Sequence, residues 1–358
     1  MLVQFYNPTE LPGERLDQLL AEGWFRSSMM LHKSKVICLD YDTFSIINIR
    51  YDLRQFTAKK RHRKLMRRVF QDFEVSIGPM VINEEKNELY DRHKQRFKGF
   101  IHEDLDQLMH AYLVHTVFET YEVNVYHQGE LVAFSFFDLG EHSLASILAV
   151  YNQDFNKYSL GIFTMLAEIT FGQENHFQWY YPGYVLDKPS EFDYKLSLGS
   201  PLYRTASGDW TERNQVDFTS FEGTRIKSKV DSISRKLNQF HIDHIQRDNP
   251  YYSLAYIAEF KNDVLKGTTI TLLTSQRKTH QTWCIEYLAE ADVYLLSKAG
   301  RNTKLDYMLD VDTTEDLNDE SHYLQGIWVY FDKILTSNNV EDLIEEYLRR
   351  TASTNNMK

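Results

Sequence analysis

Basic side chains are crowded into one ten-residue stretch of this sequence. The stretch contains no acidic residue, and its cations are Lys59, Lys60, Arg61, Arg63, Lys64, Arg67 and Arg68. Apolar residues interleave with them at helical spacing, which predicts a helix with one strongly cationic face. Like charges one helical turn apart repel each other, and a polyanionic partner would relieve that repulsion. The pattern favours a polyanion-binding helix, and the alternative is a solvated helix face.

A polar turn between a predicted strand and a predicted helix carries a second group of reactive side chains. Within ILAVYNQDFNKYSLGIF (147–163), Tyr151 ends the strand, Asp154 lies in the turn, and Ser159 occupies the position of a helix N-cap. The carboxylate can accept a proton and the phenol can donate a hydrogen bond. The alternatives are an Asx turn at Asp154 and core packing of the tyrosine ring.

Cysteine and histidine usage excludes several kinds of site. Cys38 and Cys284 are the only cysteines, which rules out a disulfide framework and a cysteine-rich metal site. The histidines, His110, His115 and His142 among them, lack ligand spacing, so no zinc site is predicted. The acidic residues of 310–320 lack the glycine that an EF-hand loop requires, and they predict a solvated loop. We therefore expect no bound metal.

The elements that would position these groups are readable between residues 97 and 210. Their order is helix, three antiparallel strands, helix and strand, with Gln128-Gly129 as a hairpin signal. This order predicts an α+β fold, a largely antiparallel mixed sheet flanked by helices, and it resembles the core of GNAT-type acyltransferases. The predicted elements are a helix over 105–117, strands over 122–127, 131–139 and 144–151, a helix opening at Ser159, and a strand over 177–185.

The phosphate-binding loop of coenzyme A-dependent GNAT enzymes has no counterpart here. That loop is glycine-rich, and its backbone N–H groups hold the pyrophosphate at the start of a helix. The corresponding stretch, NKYSLGIF (156–163), has a single glycine, Gly161, and no leading Gln or Arg. The sequence therefore predicts a GNAT-like core that uses a donor other than acyl-coenzyme A.

Composition describes a globular protein. The chain has 358 residues, of which 42% are hydrophobic, 14% aromatic and 25% charged, and its formal net charge is −11. That charge argues against a protein that coats nucleic acid over its whole surface. No apolar run is long enough for a transmembrane helix, and the first residues lack a secretory signal pattern. We expect a cytoplasmic protein that does not associate with membranes.

The chain divides into three predicted regions. Residues 1–75 form an N-terminal region with the basic helix, residues 76–212 the GNAT-like transferase core, and residues 213–358 a C-terminal α/β extension of unassigned role. Within the extension, the predicted elements are helices over 224–247 and 340–350 and strands over 268–274 and 291–297.

Several short elements, taken in order, resemble the arginyl-tRNA–protein transferase family, whose members append an amino acid to a protein N-terminus. The likeness covers roughly residues 11–210. Two features depart from the family pattern: Cys38 alone remains of its N-terminal cysteines, and GSPLYRT (199–205) lacks an acidic residue. The sequence is therefore identified as a diverged member in which no redox cluster is expected. The elements are GWFR (23–26) ahead of the basic stretch, ELYDRHKQRF (88–97), ILAVYNQDFNKYSLG (147–161), YPGY (181–184) and FDYK (192–195).

The resemblance implies transfer of an amino acid from aminoacyl-tRNA to the N-terminal amine of an acceptor protein. The family name implies that this amino acid is arginine. It implies catalytic roles for Asp154, which would orient or deprotonate the amine, and for Tyr151 and Tyr181, which would donate to the oxyanion or the terminal adenosine. The basic stretch would bind tRNA, and no cofactor beyond aminoacyl-tRNA is expected. Lys195 would contact the tRNA phosphates or the ribose, and the alternative is a surface lysine. The implied substrate-binding residues are Ser159, Gly161, Gly183, Tyr184, Tyr194 and Lys195.

Two other functions stay open from the sequence. One is a GNAT-fold N-acyltransferase with a different donor. The other is a non-catalytic adaptor of the same fold that binds tRNA or acidic protein tails. The oligomeric state is not predicted.

Overall fold

The structure, a computed structural model, describes residues 1–39, 42–95, 102–109, 116–273, 281–309, 311 and 323–355. Its helices are α1 (Gly13–Ala21), α2 (Lys60–Asp72), α3 (Glu84–Lys94), α4 (Leu105–Met109), α5 (Leu160–Glu174), α6 (Glu222–Gln239), α7 (Thr303–Met308) and α8 (Val340–Asn355). Its strands are β1 (Val3–Tyr6), β2 (Phe25–Ser27), β3 (Met30–Ser34), β4 (Val36–Leu39), β5 (Asp42–Asp52), β6 (Glu74–Pro79), β7 (Thr120–His127), β8 (Glu130–Leu139), β9 (Ser143–Tyr151), β10 (Trp179–Tyr181), β11 (Tyr184–Leu186), β12 (Leu202–Arg204), β13 (Trp210–Thr211), β14 (His244–Asp248), β15 (Thr269–Leu273), β16 (Thr282–Leu288), β17 (Val293–Arg301) and β18 (Trp328–Ser337).

The chain forms two compact units. The core unit comprises Phe5–Lys33 and Ile46–Phe218, and the C-terminal unit comprises Met1–Gln4, Ser34–Ser45 and Thr219–Lys358. Both contain a sheet flanked by helices, so the predicted α+β class is confirmed. The three regions predicted from the sequence stay a prediction.

The main sheet of the core unit runs in the order β13-β12-β5-β10-β9-β8-β7-β6. Its pairs are antiparallel except for β9 and β10, which run parallel. The hairpin between β7 and β8 turns at Gln128-Gly129, and both residues have positive φ, as a type I′ turn requires. The predicted three strands, the following helix α5 and the hairpin are therefore confirmed.

Helix α5 lies against the sheet and is apolar on almost every side. Phe163 and Leu166 are buried with the inward face of β8 and β9, while α2 covers another side of the helix through ring contact between Phe70 and Phe163. The predicted basic helix is confirmed as α2, in which Val69 is buried and the cations are exposed. Helix α5 thus holds the sheet and the cationic helix together.

Two predicted elements of the core unit differ from the structure. The strand predicted over 177–185 is two short strands, because Pro182-Gly183 turns the chain between β10 and β11. The helix predicted over 105–117 is wrong at its end, since Val117 lies in a bend. Its apolar spacing misled because Leu105 packs into one hydrophobic cluster and Val117 against another. Residues 110–115 of that prediction lie outside the described residues.

The C-terminal unit contains a five-stranded sheet in the order β14-β15-β16-β17-β18. All four neighbouring pairs are antiparallel, so the predicted α/β extension is an α+β unit. The helix predicted over 224–247 ends with α6 at Gln239, and its last residues form β14, which pairs with β15. The predicted strands and closing helix are confirmed as β15, β17 and α8, apart from Thr274, which lies outside the described residues.

The described part of the chain contains no helix long and apolar enough to cross a bilayer. It also contains no cluster of three or more histidine, cysteine or acidic side chains placed to hold a metal ion. Some predictions concern residues that lie outside the described residues. They are those for the acidic loop over 310–320, except Val311, for His110 and His115, and for residues 96–97.

Candidate active site

Strands β9 and β10 separate within the sheet of the core unit. Their parallel pairing covers three residues and ends at Ala145 and Tyr181, because β10 is followed by a turn and then by β11, which pairs with β5. The register of β9 against β8 shifts just beyond this point, next to Ser146, which marks a β-bulge. Bulges and separating strands expose backbone edges and are common beside ligand sites. No backbone pairing joins the described residues 146–151 to β11, and we call the region between these two segments the cleft.

The first turn of α5 lies beside the end of β9. A Cβ atom on Gly161 would lie 3.3 Å from Cε1 of Tyr151, so the glycine allows the tyrosine ring to lie against the start of the helix. Ser159 occupies the predicted cap position, but its side chain makes no capping hydrogen bond. The reason is its left-handed backbone, with φ of 48°, where capping serines are extended.

Lys195 is a buried ammonium group on the β11 side of the cleft. Only 7% of the residue is exposed, and its Nζ donates a hydrogen bond to the carbonyl oxygen of Tyr184 at 2.9 Å. A Cβ atom on Gly183 would lie 3.5 Å from Nζ. The rings of Tyr184, Phe192 and Tyr194 surround the ammonium at 5.0, 4.8 and 5.7 Å. The interpretation of Lys195 as a surface lysine is therefore wrong.

The Lys195 ammonium has N–H donors that no described residue accepts. Burial lowers its pKa to about 8, and within the described part of the chain no carboxylate forms an ion pair with it. An ammonium group has three N–H donors, and the Tyr184 carbonyl accepts one of them. A desolvated cation with unused donors is suited to hold a substrate oxygen on which negative charge develops.

Glu168 is a second buried ionisable group, and the sequence analysis did not single it out. It is fully buried on α5, where Oε1 accepts a hydrogen bond from Ser135 at 2.6 Å and Oε2 accepts one from Tyr180 at 2.7 Å. Burial raises the pKa of Glu168 to about 7, although hydrogen bonds from Ser135, Tyr180 and Ser146 oppose that rise. Because Ser146 directly follows the last β9–β10 pair, this cluster lies at the closed end of the cleft.

Tyr194 connects the predicted residues electrostatically. Nearly half of the residue, 48%, is exposed, but its hydroxyl is buried, and burial raises the pKa to about 12. Electrostatic interactions with Glu168, Tyr151 and Tyr184 also raise the pKa of Tyr194, and their effects decrease in that order. The structure thus brings Tyr151, Tyr184, Tyr194 and Lys195 together around the cleft, together with the two glycines at positions 161 and 183.

Tyr181 is not part of this group. Successive residues of a strand face opposite sides of a sheet, and Tyr180 faces Glu168. Tyr181 instead accepts a hydrogen bond from Arg50 at 3.2 Å, and its ring contacts Trp210. Asp154 lies in the exposed 3₁₀ turn before α5, where no described residue donates a hydrogen bond to its carboxylate. The catalytic roles of both residues stay predictions.

The cationic face of α2 borders the cleft segments on two sides. All seven predicted cations are exposed, and none forms an ion pair with a described carboxylate. Arg61 donates a hydrogen bond to the carbonyl of Ser197 at 2.6 Å, which ties α2 to the turn that carries Lys195. Arg68 donates to the carbonyl of Lys157, in the turn that carries Asp154. A polyanion on α2 would therefore lie next to both turns.

Charge reversal on α2 provides a direct test of this surface. Changing Lys60 and Lys64 to glutamate spares the arginines that hold backbone carbonyls, so the fold should persist while tRNA affinity falls. Each lost phosphate contact should lower the slope of log affinity against log salt by about 0.7 to 0.9. The measurement is a filter-binding titration with tRNA at several salt concentrations.

The matched control changes the exposed residues Lys261 and Lys304 of the C-terminal unit to glutamate, which alters the net charge equally. The control should keep the parental salt slope. Equal loss of affinity in both variants would show that net charge, rather than α2, governs binding.

Comparisons with known proteins agree with the family resemblance of the sequence motifs. Residues 85–203 match the family model described as arginine-tRNA-protein transferase, C terminus. The aspartate/glutamate leucyltransferase of Leptospira interrogans is 26% identical over 197 residues, 52% of this chain and 73% of the relative. The arginyl-tRNA–protein transferase 1 of Saccharomyces cerevisiae is 27% identical over 77 residues, 22% of this chain and 15% of the relative. These matches confirm the resemblance to the arginyl-tRNA–protein transferase family that the sequence motifs predicted.

Solved structures give a weaker likeness. L-PGS from Bacillus licheniformis is 18% identical with a TM-score of 0.29, and the match covers 39% of this chain and 46% of that one. FemX is 10% identical with a TM-score of 0.33 over 49% of this chain and 61% of that one. This chain therefore spans less than two thirds of the length of either structure, and the match says nothing about activity.

Sequence reasoning missed the cluster around Glu168, although one signal was present. Helix α5 reads LGIFTMLAEITFGQE, in which Glu168 is the only ionisable residue before the last one. A single carboxylate within a run that is otherwise apolar must be buried with partners or be costly. Its partners Ser135, Ser146 and Tyr180 come from three different strands, so only the fold reveals them.

Proposed function

We propose that this chain transfers an amino acid from aminoacyl-tRNA to the N-terminal α-amino group of an acceptor protein. The observation that supports this most strongly is the attachment of the cationic helix α2, through Arg61 and Arg68, to the two turns that border the cleft. The tRNA would bind along α2, and its aminoacylated end would enter the cleft of a GNAT-like core. No cofactor beyond aminoacyl-tRNA takes part.

The proposed reaction needs positioning and charge stabilisation more than a nucleophile. The acceptor amine has a reference pKa of about 7.7 to 8.0, so a useful fraction is neutral near pH 7. Its nitrogen forms a bond to the ester carbonyl carbon, and the ester C–O bond then breaks, leaving the ribose hydroxyl. In this proposal Lys195 and Tyr151 donate hydrogen bonds to the carbonyl oxygen as it gains charge, and Asp154 orients the amine. Tyr181 is left out because it faces Arg50.

The donated amino acid is arginine or leucine in this proposal. Arginine is what the motifs predict by family, and the yeast relative is named for it. The bacterial relatives that match a longer stretch of this chain are named for leucine. The two donors differ in charge, so they are readily distinguished by experiment.

The decisive experiment supplies purified protein with tRNA charged with labelled arginine or leucine. The acceptors are peptides beginning with Asp, Glu, Lys or Arg, each paired with an N-acetylated peptide of the same sequence. We expect label on a free-amine peptide and none on its acetylated partner. Binding of tRNA without transfer to any peptide would contradict the proposal and favour an adaptor, and acylation from a non-tRNA donor would favour a different transferase.

A further inference from the structure

The hydroxyl cluster around Glu168 links the buried carboxylate to the cleft. Ser135 and Tyr180 are fully buried, but Ser146 is only half-buried and lies on the open edge of β9. Hydrogen bonds from these three hydroxyls all stabilise the carboxylate, and no described residue forms an ion pair with it. A buried carboxylate without a cation is expensive to maintain, which points to a function beyond packing.

We propose that Glu168 holds the proton of the transfer reaction, receiving it from the acceptor nitrogen and returning it to the ribose oxygen through the hydroxyl of Ser146. This inference rests on the proposed function. Glu168 is a positioning residue in this scheme, since only Ser146 faces the substrates.

The proton balance of this step is closed. When the amine nitrogen bonds to the ester carbon, one N–H bond breaks and its electron pair remains on nitrogen. That proton passes to the Ser146 oxygen while the Ser146 hydroxyl proton passes to the Glu168 carboxylate. When the ester C–O bond breaks, its electron pair remains on the ribose oxygen, which takes the Ser146 hydroxyl proton while the Glu168 carboxyl group returns its proton to the Ser146 oxygen. A carboxyl group that titrates near neutral pH suits both directions.

Few other ionisable groups affect Glu168. Among the described residues on the elements around α5, the titratable groups that interact with it are Tyr180 on β10 and Tyr194 in the turn that carries Lys195. Both are phenols that stay neutral near pH 7, because burial raises their pKa values. The cations of α2 are exposed to solvent, and none of them contributes to the pKa shift of Glu168. Glu168 is therefore the group of this cluster that changes charge near neutral pH.

The test compares single-turnover transfer by Glu168→Gln, Ser146→Ala and the control Thr170→Val, with saturating charged tRNA, between about pH 5.5 and 6.5. In the parental protein both the acceptor amine and Glu168 must lose a proton, so the logarithm of the rate should rise with a slope of about 2. Glu168→Gln and Ser146→Ala should each be at least about tenfold slower at pH 7 and should show a slope of about 1. Thr170→Val, which removes a hydroxyl of α5 that donates to the carbonyl of Leu166 and does not contact Glu168, should keep the slope of 2.

The thermal midpoint provides a readout independent of transfer. Because the folded-state pKa of Glu168, about 7, lies above its unfolded value near 4.3, the folded parent binds the extra proton between these pH values and loses stability as pH rises through them. Glu168→Gln should therefore gain in thermal midpoint relative to the parent from about pH 5 to pH 8. If Glu168→Gln does not fold, Ser146→Ala still decides the question.

The outcomes separate the two proposals. A parental protein that transfers nothing would overturn the proposed function and this inference together. A parental protein that transfers, with both variants retaining its rate and slope, would overturn the inference alone.

Discussion

Lys195→Met should lower the single-turnover transfer rate by about 100- to 1000-fold, the usual effect of removing one preorganised donor from an oxyanion. Lys195 is the buried cation of the cleft, and its unused donors lie beside Gly183. Methionine retains the length of the side chain and its contact with the aromatic rings but supplies no donor. The measurement is quenched transfer from saturating charged tRNA to a peptide.

The pH dependence gives this prediction a second signature. With a pKa of about 8, Lys195 loses its charge as pH rises, so the parental rate should fall above pH 8 once the acceptor amine is already neutral. The Lys195→Met variant should lack this falling limb. The control Lys261→Met, an exposed position in the C-terminal unit, should match the parent at every pH.

The free energy of unfolding of the parental protein should rise with pH above pH 8, where its transfer rate falls. The folded-state pKa of Lys195 lies below its unfolded value near 10.4, so the unfolded chain binds more protons between about pH 8 and 10, and parental stability rises with pH there. The cost of burying the charge, on the order of 3 kcal/mol, is present below pH 8. Lys195→Met should therefore melt no earlier than the parent at pH 7. A variant that melts much earlier would indicate a structural role.

Local signals predicted the central part of the core unit well. The β7–β8 hairpin follows from Gln128-Gly129, whose positive φ values match a two-residue turn, and from the flanking alternation of side chains. Helix α2 follows from its spacing, because a helix with six lysine and arginine residues can only expose them. These features depend on residues close in sequence, which is why the sequence was sufficient.

The geometry of the cleft depends on contacts between distant residues and was only partly predictable. The single strand predicted over 177–185 did not determine which face of the sheet each tyrosine side chain occupies. A shift of one residue exchanges the two faces of a strand. The structure turns Tyr180 towards Glu168 and Tyr181 towards Arg50. Lys195 was predicted as a substrate contact from a motif, but its burial arises from rings that surround it in the folded chain.

Asp154→Asn should lower the transfer rate by roughly 100-fold, because a misplaced amine costs about that much even when every other group is intact. Asp154 is exposed in the turn before α5, and no described residue uses its carboxylate, so the unfolding free energy should change by about 1 kcal/mol or less. The turn itself is held by Arg68, which donates to the carbonyl of Lys157. Single-turnover transfer and thermal midpoint are the two measurements.

Tyr151→Phe is the companion variant, because it retains the ring against Gly161 and removes only the hydroxyl. Glu174→Gln, an exposed carboxylate at the far end of α5, is the matched control and should leave the rate unchanged. If Asp154→Asn and Tyr151→Phe are both stable and slow, the turn and the end of β9 hold the reacting groups. If both transfer at the parental rate, the amine is held instead from the β11 side of the cleft, where Tyr194 and Lys195 lie. If both melt early, the two residues are structural, and their predicted catalytic roles are wrong.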